Sequence, residues 1–227
     1  MSKLKIYHGS TDLIEKPEFG KGKPYNDYGL GFYCTESLDL AKEWACVNNE
    51  TNGHANKYTI SLDGLKVLDL TKESYTILNW VAILLKFRNF DTNTPISQEA
   101  KQYLIDNFYI DISKYDVVIG YRADDSYFSF AKDFVNNTIS VRQLNKAMEL
   151  GQLGKQVAII SKIAFENLEF IGYELADHKI FYTKRVARDK KAREEYLSKN
   201  FIKATSVNEL FVMDIIRKGL KNGDKIL

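Results

Sequence analysis

Cysteine, histidine and proline are scarce in this 227-residue chain, and no long apolar run occurs in it. Two cysteines, Cys34 and Cys46, are too few for a disulfide framework and lack the paired spacing of a zinc site, so they are expected to be reduced. Three histidines scattered along the chain form no ligand constellation, and no metal is expected. The longest apolar run is six residues, Trp80 to Leu85, far short of the roughly 20 that cross a bilayer. Met1 to His8 leaves no room for the apolar core of a signal peptide, which sets the expectation of a cytoplasmic protein with no membrane partner. Three prolines, no internal repeat and no low-complexity stretch exclude a solenoid or a proline-rich linker as the organising feature.

What is there is the composition of a packed protein: 44% hydrophobic, 27% charged and 13 glycines. One domain over residues 1–227 is predicted, with a helical insertion at 74–107 and a C-terminal helical extension at 182–227. The formal net charge of +2 conceals a basic run, because Tyr182 to Lys203 holds eight basic residues against three acidic ones. That run reads either as a solvated helix face or as a nucleic-acid surface.

Lys5 to His8 reads as an opening strand, and Gly20 to Gly31 as a loop. Ser37 caps a helix whose apolar face holds Leu38, Ala41, Trp44 and Ala45. Lys57 to Leu62 and Lys66 to Leu70 read as strands joined at Asp63-Gly64, a hairpin or a bent strand. Helices are predicted over Glu73 to Arg88, Gln98 to Asn107, Ser126 to Val135 and Ser140 to Leu150, with a buried strand from Asp116 to Gly120 among them. Gln156 to Ser161 and Leu168 to Tyr173 read as strands, and helices after Tyr182 and around Val207 to Arg217 close the chain. Strands and helices do not alternate regularly, and no glycine-rich phosphate fingerprint follows a strand. An α+β fold with a mixed or antiparallel sheet is therefore predicted, not a doubly wound one.

Two segments carry chemistry. Tyr7-His8-Gly9-Ser10 puts an imidazole at a strand end beside a residue without a side chain and a hydroxyl, although a lone strand-end histidine is as readily structural. Asp27-Tyr28-Gly29-Leu30-Gly31-Phe32-Tyr33 offers two glycines and two consecutive aromatics, suited to a flat ligand or to a turn entering a core strand.

In this order, and followed directly by the Ser37 helix, these segments resemble the ADP-ribosyltransferase superfamily. The branch is the His-Tyr-Glu one that includes poly-ADP-ribose polymerases and diphtheria toxin. The resemblance is strongest to a bacterial family sharing Tyr-His-Gly-Ser, Asp-x-Gly-x-Gly-Phe-Tyr and Tyr-Arg-Ala-Asp-Asp, and it extends to about Tyr173. It implies a mixed or antiparallel split β-sandwich that binds NAD as a substrate and transfers ADP-ribose to a macromolecular acceptor, protein or nucleic acid. It also implies the company of toxins and phage-defence effectors, and with it a neutralising partner protein. His8 would bond the adenosine ribose, Gly9 the nicotinamide amide, and Tyr33 would stack on the nicotinamide ring. Tyr7, Ser10, Asp27, Gly29, Gly31 and Phe32 would complete the NAD site.

The third element of that branch is a glutamate at the start of a late strand, and here Gln156 stands in its place. Its amide can accept a ribose hydroxyl bond but is neither charged nor a base, so Gln156 is either a weakened catalytic residue or an exposed strand start. An acid could instead come from Tyr121-Arg122-Ala123-Asp124-Asp125-Ser126-Tyr127. There Arg122 could meet a phosphate, while Asp124, Asp125 and Tyr127 could face the acceptor; Asp125 could equally cap the following helix. Gly154 stands where arginine-modifying transferases carry Glu or Gln, so that specificity is not supported. The alternative reading is a module that binds NAD, ADP-ribose or nucleic acid without turnover.

Overall fold

The computed structural model describes residues 3–123, 125–152, 154–198 and 209–226, and of Asp125 the backbone only. Asp124, Lys199 to Lys203 and the start of the segment predicted at Val207 lie outside the described residues. Seven strands, β1 (Lys3–Ser10), β2 (Phe32–Thr35), β3 (Gly53–Ser61), β4 (Val67–Asp69), β5 (Val117–Gly120), β6 (Gln156–Ile159) and β7 (Leu168–Ala176), form one sheet in the order β4-β5-β6-β2-β1-β3-β7. Among the described residues only β4 and β5 run parallel, so the fold is α+β with a mixed sheet.

Both faces of the sheet are covered, and strand parity decides which residue goes where. Ile6, Phe32, Cys34, Val117, Ile119, Val157 and Ile159 join one core cluster with Tyr58 and Ile60. Their neighbours Val118 and Ala158 join the larger cluster on the other face. Around that second face stand α1 (Leu38–Ala45), α2 (Ile77–Phe87), α3 (Pro95–Phe108), α4 (Asp125–Val135), α5 (Val141–Ala147), α7 (His178–Tyr196) and α8 (Val212–Arg217); the short α6 (Lys162–Glu166) links β6 to β7. Ser37 caps α1 by accepting a bond from the Leu40 amide.

One sequence expectation is corrected here. Lys57 to Leu62 and Lys66 to Leu70 do not form a hairpin. Asp63-Gly64 does turn the chain, with Gly64 at φ +79, but β3 already pairs on both sides, with β1 and with β7. β4 is thus carried to the far edge of the sheet, beside β5. Within the 74–107 segment, every residue from Ile77 to Leu85 of α2 is buried. The Trp80 indole donates to the Tyr121 carbonyl at 3.1 Å. A helix apolar on all sides belongs inside a core.

The long helix α7 is strapped to α1. Arg188 makes a bidentate pair with Glu43, Nε–Oε2 2.9 Å and Nη2–Oε1 2.6 Å, and Glu43 is 2% exposed. Lys184 pairs with Asp39, and Arg185 bonds the Cys46 carbonyl at 3.4 Å. Three cations of the basic run thus hold α7 to α1, while Lys190, Lys191 and Arg193 pair within α7 with Glu194, Glu195 and Asp189. Among the described residues, no helix is long and apolar enough to cross a membrane. Arg188→Met is expected to cost about 3 kcal/mol, at the low end for breaking a buried pair because Arg188 keeps some solvent. Adding Glu43→Met should return most of that loss in chemical denaturation, since no uncompensated carboxylate then remains buried.

Candidate functional site

The sheet is weakest in its middle. β2 and β6 pair over four residues and β1 and β3 over eight, but β1 and β2 meet at one pair, Tyr7 with Thr35. Beyond that pair the strands part, and side chains fill the gap that backbone bonds would have closed. The Nδ1 of His8 lies 2.7 Å from the Tyr33 carbonyl oxygen. A carbonyl only accepts, so Nδ1 carries a hydrogen and donates it. Burial lowers the His8 pKa, with the Tyr33 bond opposing more weakly. The neutral ring keeps Nε2 as an acceptor. Phe32 stacks on the imidazole, with centroids 4.2 Å apart.

Parity places these groups on two faces. Tyr33 pairs with Ala158 and Thr35 with Gln156, so the Tyr33 and Gln156 side chains share the face of the larger core. His8 and Phe32 belong to the other face. Two cavities open at the parting. One, of about 410 Å³, is lined by His8, Phe19, Gly31, Phe32, Tyr33 and Phe165 among others. The other, of about 300 Å³, is lined by His8, Gly9, Asn26, Asp27, Tyr33, Trp44, Arg88, Arg122, Ala123 and Gln156. His8, Asn26 and Tyr33 belong to both.

The loop from 11 to 31 reaches this place because it is fastened at both ends. Near its start, buried Asn56 accepts from the Ile14 amide at 3.0 Å and donates to the Asp12 carbonyl at 3.2 Å, while the Tyr58 hydroxyl donates to the Ile14 carbonyl. Near its end, Asp27 accepts from the Ala123 amide at 2.8 Å and Tyr28 donates to the Tyr121 carbonyl at 2.7 Å. Those two bonds bring Arg122 to the second cavity. The Tyr33 hydroxyl closes the turn, donating to the Gly29 carbonyl at 2.5 Å and accepting from the Tyr28 amide at 3.1 Å.

Of the residues singled out from sequence, His8, Gly9, Asp27, Gly31, Phe32, Tyr33, Arg122 and Gln156 are brought together at the two cavities. Tyr7, Ser10, Gly29 and Tyr127 line neither. Tyr7 packs with Ala41 and Ala55, and Ser10 accepts from the Asp12 amide at 3.1 Å. Gly29 lies at φ +70, and an added Cβ would sit 2.8 Å from the Phe87 ring. Tyr127 is 2% exposed and its hydroxyl donates to the Leu150 carbonyl, so it faces the core and not an acceptor. Asp124 lies outside the described residues, as does the Asp125 side chain.

Sequence reading missed Trp44 and Arg88 as cavity residues. Trp44 fits an apolar helix stripe and gives no other local signal. Arg88 ends α2, far along the chain from every motif. Both Trp44 Nε1 and Gln156 Oε1 are buried without a hydrogen-bond partner. Such groups cost free energy unless a ligand or water completes them. A donor and an acceptor, both unpaired, thus stand in residues lining one cavity.

A family described as protein of unknown function, DUF3990, matches residues 4–170. The chain belongs to the DUF3990 family. No curated protein and no solved structure matches it. The matched residues span β1 through the first part of β7, so the two cavities lie within the DUF3990 region, and α7 and α8 lie beyond it. No group of three or more metal-binding side chains occurs among the described residues.

Two predictions test this geometry. The unfolded chain takes up the His8 proton near pH 6.5, whereas the folded chain does so only at lower pH. Folding stability should therefore fall as pH drops below 6.5 toward the folded pKa, and His8→Asn should lack that share of the slope in denaturation curves. A Cβ on Gly9 would lie 2.1 Å from the Ala41 carbonyl oxygen and 2.7 Å from the Ala45 amide. Gly9→Ala should consequently push α1 off β1 and lower stability by about 2–3 kcal/mol.

Proposed function

We propose that this cleft binds NAD and that the protein is an ADP-ribosyltransferase acting on a macromolecular acceptor. The observation that carries the reading is the pair of cavities joined at His8, Asn26 and Tyr33 where β1 and β2 part. A dinucleotide has two flat heads joined by a hinge, and a two-chambered cleft with a waist suits that shape.

In this reading the adenosine half occupies the aromatic chamber of Phe19, Phe32 and Phe165. The fixed tautomer of His8 leaves Nε2 to accept from a ribose hydroxyl. The nicotinamide half occupies the second chamber, against Tyr33, with Gly9 offering backbone groups. Gln156 Oε1, unpartnered in the protein, accepts a hydroxyl of the nicotinamide ribose. NAD supplies a glycosidic bond that breaks with oxocarbenium character, and the residues of the cleft orient it and exclude water. Without a carboxylate at 156 the developing positive charge is stabilised only by the amide dipole, so turnover with water as acceptor is expected to be slow.

Gln156 also favours a second reading, a cleft that binds NAD without turnover. Incubation with labelled NAD, with and without lysate and RNA, separates the two. Nicotinamide release or label transfer that drops about 10²-fold in His8→Ala and in Tyr33→Ala supports the transferase. Calorimetric NAD binding with no release supports the binding module, and absence of binding overturns both. Gln156→Glu should raise NAD hydrolysis by water about tenfold or more by adding a charge and a base.

A further inference from the structure

We infer that Asn26 determines which dinucleotide this cleft accepts, taking one hydroxyl of the adenosine ribose while His8 takes the other, so that a ligand with an unmodified vicinal diol is selected. The inference rests on the NAD reading above and deepens it by naming the residue that reads the ribose and the class of ligand that is turned away.

Asn26 stands at the waist of the cleft. It lines both cavities, a position shared among the described residues with His8 and Tyr33 alone. Its main chain is settled by the turn it opens, in which the Asn26 carbonyl accepts from the Gly29 amide at 3.0 Å. Its side chain is settled as well, because Nδ2 donates to the Lys23 carbonyl at 3.0 Å. A carbonyl only accepts, so the nitrogen and not the oxygen of the carboxamide faces Lys23. The oxygen Oδ1, on the other arm of that group, has no partner among the described residues.

The other two waist residues narrow the chemistry further. The Tyr33 hydroxyl is spent on the Gly29 carbonyl and the Tyr28 amide, so Tyr33 offers its ring and no polar atom. His8 donates from Nδ1 to the Tyr33 carbonyl, which leaves Nε2 as an acceptor. The side chains of the waist therefore present two free acceptors, His8 Nε2 and Asn26 Oδ1, against one remaining donor, the second hydrogen of Asn26 Nδ2. Neither acceptor carries charge.

A pair of neutral acceptors is the complement of two O–H donors on adjacent carbons, which is what the diol of a ribose supplies. A phosphate ester on either hydroxyl removes one donor and sets charged oxygens against the lone pairs of the waist, at the cost of an unpaired polar group. Cations near the aromatic chamber offer such a phosphate little. Lys21 is paired with Glu18 at 2.7 Å, and Lys16 stands exposed on the loop, where salt screens it. Arg88 and Arg122 line the second cavity alone.

The test is calorimetric binding to the full chain of NAD, of its analogues lacking the 2′ or the 3′ hydroxyl of the adenosine ribose, and of NADP, which carries a phosphate on the 2′ oxygen. Each deoxy analogue should bind about tenfold more weakly than NAD, and NADP about 10²-fold more weakly. Asn26→Leu should weaken NAD about tenfold and become indifferent to the loss of one hydroxyl while keeping its sensitivity to the other. His8→Ala should show the opposite indifference. Such reciprocal coupling between an atom of the ligand and an atom of the protein is what a merely structural role of Asn26 does not produce. Asn26→Asp keeps an acceptor without a donor, so its ratios of NAD to the deoxy analogues and to NADP should stay as in the wild type; it answers the same question if Asn26→Leu does not fold. Equal binding of NAD and both deoxy analogues by the wild type overturns the inference. Equal loss of NAD and both analogues in Asn26→Leu also overturns it, leaving Asn26 as a support of the turn. Equal affinity for NAD and NADP, lost for NADP in Lys16→Ala, overturns it in favour of an open, cation-read site. All three outcomes leave the NAD reading intact, whereas a wild type that binds no NAD overturns that reading and the inference together.

Discussion

The parting of β1 from β2 after the Tyr7 and Thr35 pair is the constraint on which the site depends. A fully paired sheet would have its backbone donors and acceptors spent in the ladder and would present an unbroken floor. Here the ladder stops, and the His8 imidazole donates to the Tyr33 carbonyl in place of an amide. One bond therefore satisfies a backbone acceptor, fixes a tautomer and leaves an opening. Because successive residues of a strand face opposite sides, the opening gathers His8 and Phe32 from one face and Tyr33 and Gln156 from the other.

Everything that makes the opening a cleft is brought from elsewhere and bolted down. Asn56 and Tyr58 on β3 hold the start of the loop that forms one wall. Asp27 and Tyr28 hold the segment that carries Arg122. The buried helix α2 places Arg88 at the rim, and α1 presents Trp44 on the turn that Gly9 allows to approach β1. These supports are side chain to backbone bonds within a packed core, so the wall geometry is set before any ligand arrives.

Electrostatics distinguish the two halves of the molecule. Of the basic C-terminal run, Lys184 and Arg188 strap α7 to α1 with Asp39 and Glu43 as counter-charges, while Lys190, Lys191 and Arg193 pair with acids one turn away on α7 itself. Among the described residues the cleft shows a different balance: a neutral histidine, a neutral amide, Asp27 engaged by Ala123 and Arg88, and two arginines against aromatic rings. Net charge and the position of a basic run on the sequence say little about which cations are available to a ligand, since a salt bridge across helices removes them from view.

Much of the molecule was legible in the residues themselves. The helices announced themselves through apolar stripes and Ser37-type caps, the β5 and β6 strands through short runs of buried β-branched residues, and the motif segments through glycine next to aromatics and an imidazole. These are local signals, set by backbone sterics and by the alternation of one side chain after another. Local signals could not say that Asp63-Gly64 leads away from β3, because the decision belonged to β1 and β7, which had already taken both edges of that strand. Nor could they distinguish Tyr127, turned into the core, from Arg122 five residues earlier, turned to the cavity. Least of all could they find Arg88 and Trp44, whose roles exist only because α2 and α1 pack on a sheet that opens between them. The sequence by itself determined most of the helices and strands, though not the short α6 or the start of α7 at His178, and which residues carry unusual chemistry; the tertiary structure alone decided which of them meet, since that depends on hydrogen-bond partners and packing surfaces scores of residues apart.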